Sequence, residues 1–304
     1  MSKPYSGPGG ARGARRGAAG RGAAGRGAAG RGAAGRGAVP VSGQRRDRRP
    51  RRTDGAGIGG EQVEGRQAVR ELLLAGRRSV REVWITDGLE PSPELDDIER
   101  YAMRRRAPVV VVSRGRMEAA ARTDSPQGVL AYARPLDEVD LDAACCRSGR
   151  VPFFLVLDGI TDPQNFGALL RSAECAGVTG VVMARHRAVH VTPTVTKVAA
   201  GAIEYLEFSM VPGIPTALAR LGEHGVTTIG LDAGAPHSVY DVDVDVSGPF
   251  ALVLGSEHQG LAVLTRRRCS ALASIPQRGS MTSLNVAAAG AVACFEFARR
   301  RSSA

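Results

Sequence analysis

The residues richest in chemistry fall in 255–286, which read GSEHQGLAVLTRRRCSALASIPQRGSMTSLNV. Two glycine-bearing loops lie here, each behind a short apolar run, 250–254 before the first and 271–275 before the second. Short apolar runs bounded by turn residues read as buried parallel strands. Open α/β sheets bind ligands at the carboxyl ends of their strands, so two such loops imply one shared site. That site offers backbone amides, Glu257, Ser283 and Asn285. The set suits a polar small molecule beside a reacting hydroxyl better than it suits a metal. Gly255 and Gly260 stand in the spacing G-x-E-x-x-G, which permits close approach of backbone to ligand. It is not the dinucleotide fingerprint G-x-G-x-x-G, and by itself any strand–loop–helix turn could carry it. His258 reads as an exposed loop residue rather than a base.

A second group lies upstream, where a strand over 153–157 runs into DGITDPQNFGALLR. Asp162 and Pro163 have the form of an N-cap and a first helical residue. The helix they open is expected over 163–176, with Gly177 ending it. Asn165 then falls in the first turn and Arg171 six residues on. The rival reading makes Arg171 a surface partner of Glu174 at i,i+3 and Asn165 a local hydrogen-bonding residue.

The elements that must position these groups follow a regular rhythm from residue 151. Strands are expected at 153–157, 180–183, 206–210, 226–231, 250–254 and 272–275, with helical patterns between most of them and a last helix over 282–300. This alternation predicts an α/β fold with a doubly wound parallel sheet. Ahead of it, residues 62–134 read as a small α/β domain. A helical spacing runs through Val63, Ala68, Val69, Leu72, Leu73 and Leu74, with a charged helix at 93–106 and strands at 80–86, 108–112 and 127–133. The acidic stretch 135–150 reads as a linker, and 151–304 as the catalytic domain.

Net charge is +11, but it is unevenly spread. Residues 1–53 carry 14 Lys and Arg against Asp47 alone, whereas the rest has 27 basic and 29 acidic residues. Within 11–38 the unit RGAAG repeats with a period of five, commensurate with neither helix nor strand. Residues 1–60 are therefore expected to be a disordered basic tail, either an arm on RNA phosphates or a solubilising segment. The five cysteines form no C-x-x-C pair, which points to neither a disulfide framework nor a zinc site. No apolar run reaches about 18 residues and the N-terminus lacks an apolar leader, so a cytoplasmic protein with no membrane span is expected.

Taken together, these segments resemble the SpoU/TrmH branch of the SPOUT RNA 2′-O-methyltransferases. Asn165–Arg171 matches its first motif, N-x-G-x-x-x-R; 255–260 matches the second; Ile275-Pro276 with Ser283-Leu284-Asn285-Val286 matches the third. The opening VEGRQAVRELL at 63–73 is similar to the small, ribosomal-protein-like RNA-binding domain of bacterial large-subunit rRNA guanosine 2′-O-methyltransferases. His258, Gln259 and Ala287 depart from the commonest residues of these motifs. The resemblance implies a deep trefoil knot in the sheet, S-adenosylmethionine as cofactor, no metal, RNA as substrate and a homodimer with active sites near its interface. It implies catalytic roles for Arg171, Asn165, Glu257 and Asn285. Arg171 would clamp a phosphate or ribose oxygen, the asparagines would orient the ribose, and Glu257 would fix Arg171 or a loop amide. Cofactor contacts would come from Gly255, Ile275 and Leu284, with help from the 230–234 loop. Transfer RNA is the alternative substrate, and an RNA-binding assembly factor without activity is the alternative of another class. The absence of a glycine-rich loop after the strand at 153–157 argues against a class I Rossmann methyltransferase.

Overall fold

The structure, a computed structural model, describes residues 57–186, 190–281 and 283–302. The expected basic tail lies outside the described residues, save for 57–60. The chain enters at Ile58, a buried residue whose backbone pairs with Leu136.

The first lobe is built from β1 (Gln62–Glu64), α1 (Arg66–Ala75), β2 (Val80–Thr86), α2 (Pro93–Arg105), β3 (Val109–Val112), α3 (Arg114–Ala120) and β4 (Val129–Ala133). Its four strands are ordered β1-β4-β2-β3 in a mixed sheet. Helix α1 buries Ala68, Val69, Leu72 and Leu73 at i, i+1, i+4 and i+5, one face of a 3.6-residue period. Leu74, part of the expected apolar set, is 41% exposed. Val63 belongs not to that helix but to β1, whose three residues all pair with β4. Ser92 caps α2 at Leu95, and Pro93 starts it.

The segment expected to be a plain linker holds a short helix, α4 (Leu141–Cys145), capped by Asp140. Leu141 and Ala144 lie one helical turn apart and are buried against the larger lobe. A five-residue helix is too short to leave a periodic trace in the sequence.

The larger lobe comprises β5 (Phe153–Asp158), α5 (Pro163–Cys175), β6 (Gly180–Ala184), α6 (Pro193–Val198), β7 (Glu207–Val211), α7 (Ile214–Glu223), β8 (Thr227–Leu231), β9 (Phe250–Gly255), α8 (Val263–Arg268), β10 (Ala271–Ala273) and α9 (Val286–Ser302). Its six strands are all parallel, in the order β10-β8-β9-β5-β6-β7. Strands β5 and β9, nearly all buried, form the centre and carry the near-continuous apolar sequences that two covered faces demand. From β5 the chain builds outward to β7, then crosses back and inserts β9 between β8 and β5. The carboxyl ends of β8, β9, β10 and β5 therefore open where the winding direction reverses, the favoured ligand position of such sheets.

Helices α5 and α9 cover one face together, and small residues set how near they come. A Cβ on Gly290 would lie 2.3 Å from Leu169 of α5, and one on Gly167 would lie 2.6 Å from Val198 of α6. The five cysteines are all free; burial pushes the Cys294 thiol up to about 12, so it is an inert packing group. Among the described residues, no helix is long and apolar enough to cross a membrane.

Candidate active site

At the carboxyl ends of β8, β9 and β10 lies a cavity of about 360 Å³. Gly255, Glu257, Ile275, Ser283 and Leu284 line it, as do Leu231, Asp232 and Ala233 of the loop after β8. Asp232 and Glu257 also line this space; Asp232 is paired with Arg266 at 3.1 Å and accepts from the Gly234 amide at 2.8 Å, so Glu257 is the lining carboxylate with no cation paired to it among the described residues. Leu254, Leu261 and Val286 add apolar wall. The loop after β9 folds back on itself, with Ser256 and Gly260 exchanging backbone hydrogen bonds of 3.0 Å in both directions. That fold requires Gly255, because a Cβ there would lie 2.0 Å from the Gly260 carbonyl carbon.

Three polar side chains from three segments meet at the rim. Asn285 precedes α9, and its Oδ1 accepts from the Ala287 and Ala288 amides at 2.9 and 3.3 Å. Backbone amides only donate, so this cap fixes which way the Asn285 carboxamide faces. Its Nδ2 consequently donates to Asn165 Oδ1 at 2.7 Å. Asn165, with its oxygen so engaged, turns Nδ2 to Glu257 Oε1 at 3.4 Å. Asp162 secures the start of α5 by accepting from the Gln164 and Asn165 amides at 2.6 and 2.9 Å. The polarity of the relay is thus set from the helix caps inward, and it ends on the carboxylate that faces the cavity.

Comparison with known proteins bears on these segments. Residues 152–295 match the SpoU rRNA Methylase family, and residues 62–139 match the RNA 2'-O ribose methyltransferase substrate binding family. The 23S rRNA (guanosine-2'-O-)-methyltransferase RlmB of Pseudomonas putida is 35% identical over 244 residues, 79% of this chain and 97% of that protein. Its namesake from Ralstonia nicotianae is 37% identical over 239 residues, 78% and 95% of the two chains. The chain belongs to the SpoU rRNA methylase family. Among solved structures, the SpoU methyltransferase AviRb from Streptomyces viridochromogenes, in complex with the cofactor AdoMet, superposes with a TM-score of 0.65 at 25% identity, over 80% of this chain and 91% of that one.

Seen as the family's three motifs, Asn165, Glu257 and Asn285 meet in one hydrogen-bonded relay, and Gly255, Ile275 and Leu284 share one cavity wall. Arg171 stands apart. It is exposed, it lines neither this cavity nor the relay, and its guanidinium makes no hydrogen bond or ion pair with the described residues, Glu174 included. Six residues on a helix turn through about 600°, which leaves Arg171 some 120° around α5 from Asn165. Glu257 holds the Asn165 amide and not Arg171. Asp232 is one lining residue that spacing alone did not single out. The 230–234 loop contained it, but an Asp after a strand is too common to be read as a site.

Proposed function

We propose that this chain is an S-adenosylmethionine-dependent RNA methyltransferase that modifies the 2′-oxygen of a guanosine in large-subunit ribosomal RNA. The observation that carries the reading is the Asn285–Asn165–Glu257 relay at the rim of a cavity that Glu257 lines with a carboxylate paired to no cation among the described residues. A pocket of that charge disfavours a phosphate-bearing dinucleotide and suits a cationic ligand with an apolar aromatic end. S-adenosylmethionine fits this description: Glu257 would face its positive groups, and Leu231, Leu261, Ile275 and Leu284 would enclose its adenine. When bound, it supplies an electrophilic sulfonium methyl that needs no metal to activate it.

The protein's part is alignment and charge. Asn165 and Asn285 hold each other and so present a fixed edge against which a ribose can be oriented. Holding two reactants in line contributes up to about 7–11 kcal/mol in favourable cases. Arg171, a planar guanidinium that stays protonated, would grip a phosphate beside the reacting ribose and stabilise the charge that develops on its oxygen. Its position away from the relay means that it reaches the reacting atoms through bound RNA or from a second copy of the chain. We favour a homodimer through α9, where Val292 and Phe295 lie one turn apart and are 38% and 50% exposed. We also place in this reading a trefoil knot formed by the segments around the cavity, a cytoplasmic location, and a division of labour in which residues 62–134 hold RNA while 151–304 carry out transfer.

The test is to incubate the full chain with labelled S-adenosylmethionine and, separately, 23S rRNA and transfer RNA, then map 2′-O-methylation. Methyl on a 23S guanosine, abolished in Arg171→Ala while cofactor affinity is kept, is the expected result. Methyl on transfer RNA alone would move the substrate class. Binding of RNA without any transfer would leave an assembly factor.

A further inference from the structure

A second opening, of about 510 Å³, lies between the two lobes. Gln67 of α1 and the loop before β4, with Arg122, Ser125 and Gln127, form one wall; Gln164 of α5 and Lys197 of α6 form the other. Its character is opposite to that of the cofactor cavity. Two cations and three carboxamides line it, and Asp124 is the one acid among the described lining residues. The two spaces are joined through α5, since Gln164 borders this cleft and its neighbour Asn165 belongs to the relay.

The loop on the first wall is held from inside the protein. Glu64 is completely buried, and its carboxylate accepts from the Arg122 amide at 2.7 Å, the Thr123 amide at 3.0 Å, the Thr123 hydroxyl at 2.5 Å and Gln62 Nε2 at 2.7 Å. Among the described residues no cation pairs with it; four donors satisfy it, and hydrogen bonds to an ionised acceptor are the stronger kind. The result is a rigid turn that presents the Arg122 guanidinium, which is exposed and makes no hydrogen bond or ion pair with the described residues. Across the gap, Lys197 Nζ donates to the Ser125 carbonyl and ties the two walls together. A rigid, donor-rich cleft with unneutralised positive charge is built for an anion of some length, not for a peptide or a lipid face.

We propose that this cleft seats the RNA strand flanking the methylated nucleotide, with Arg122 and Lys197 on phosphates and Gln67, Gln127 and Gln164 on ribose and base edges. The inference rests on the methyltransferase reading above and adds to it the path by which RNA reaches Asn165. Contacts of the first kind would set the register of the strand on the enzyme, and those of the second kind its sequence preference.

The experiment uses the full chain and a 23S rRNA transcript, with affinity measured across a series of KCl concentrations. Arg122→Ala and Arg122→Ala/Lys197→Ala are compared with Arg114→Ala, which removes the same charge from an arginine 86% exposed and paired with Glu118. The cleft variants are expected to bind RNA about tenfold more weakly, and the salt slope should fall by roughly 0.7–0.9 for each phosphate that is no longer neutralised. Cofactor affinity and the melting temperature of Arg122→Ala should not change. RNA affinity and slope in Arg122→Ala equal to those of the unmodified chain, or a weakening no larger than in Arg114→Ala, would overturn the proposal. Failure of the methyltransferase reading shows separately, as absence of methylated RNA with the unmodified chain.

Discussion

Asn165 uses both ends of one carboxamide: its oxygen accepts a hydrogen bond from Asn285, and its nitrogen donates one to Glu257. An isosteric acid cannot do this. Asn165→Asp would set two carboxylates against each other where the amide now bridges, and would leave Glu257 without its donor. Single-turnover methyl transfer is expected to fall on the order of 10²-fold, the scale for losing one positioned donor. A rate within a few-fold of the unmodified chain would mean that the relay is only structural. The residues of this relay were legible from spacing because asparagine after a helix cap and glutamate between two glycines are unusual chemistry at strand ends. The relay itself was not legible. Which carboxamide atom faces which neighbour depends on the two helix starts coming together, and local sequence holds no record of that meeting. The same holds for Arg171, whose motif position names it while its helical phase separates it from the rest.

At the scale of elements, the loop after β9 shows how a glycine can define a pocket. Gly255→Ala would bring a methyl group to 2.0 Å from the Gly260 carbonyl carbon, in backbone that has no flexible end to give way. The loop must open, and its Ser256–Gly260 pairing with it. Cofactor titration should show affinity reduced tenfold or more, with secondary structure by circular dichroism preserved; unchanged affinity would mean that the loop is not part of the binding wall. The strands of the larger lobe could be read to within a residue or two because a parallel strand covered on both faces is an unbroken apolar run. Shorter pieces were hidden. Strand β1 has three residues, and Val63 fitted the helical spacing of its neighbours. Helix α9 begins at Val286, later than the expected start at 282, because Asn285 caps it.

Across the whole molecule, Arg77 and Arg78 join the two lobes. Arg77 donates to the Glu204 and Leu206 carbonyls, while Arg78 meets Glu204 Oε1 at 3.0 Å with both side chains 0% exposed. These bonds fasten the first lobe to the second, and Tyr205 adds a 2.6 Å bond to Glu71. Burial raises the Glu204 carboxyl despite Arg78, and Glu204 Oε2 has no hydrogen-bond partner among the described residues. A carboxyl with a raised folded-state value gives its full contribution below the usual carboxylate range and loses it as pH rises through that raised value. Arg78→Ala should strand a buried carboxylate and cost about 3–5 kcal/mol, read from urea unfolding near neutral pH. A cost below about 1 kcal/mol, the scale of an exposed pair, would show the pairing to be incidental. Separating residues 136–304 from the first lobe would uncover Glu204, so that fragment is expected to be less stable than the whole. Deletion of residues 1–56, which spares the Ile58–Leu136 pairing, is expected to keep the fold and to weaken RNA binding chiefly at low salt. An unchanged salt slope after that deletion would show that the basic tail does not touch RNA.

The insertion of β9 between β8 and β5 has a consequence for how the chain is made. Phe153 pairs with Phe250, so the centre of the sheet stays open until everything between them has been synthesised. During translation β5 must wait with one apolar edge unpaired while β6 and β7 assemble on the other. A nascent chain in that state offers a long buried-type strand to its neighbours, the kind of exposure that leads to aggregation. Late pairing of distant segments is also slow, since loop closure must precede any gain from pairing. Production of this protein should therefore respond to slower translation and lower temperature, and ribosome-associated holding factors would find their substrate in the interval between residues 158 and 250.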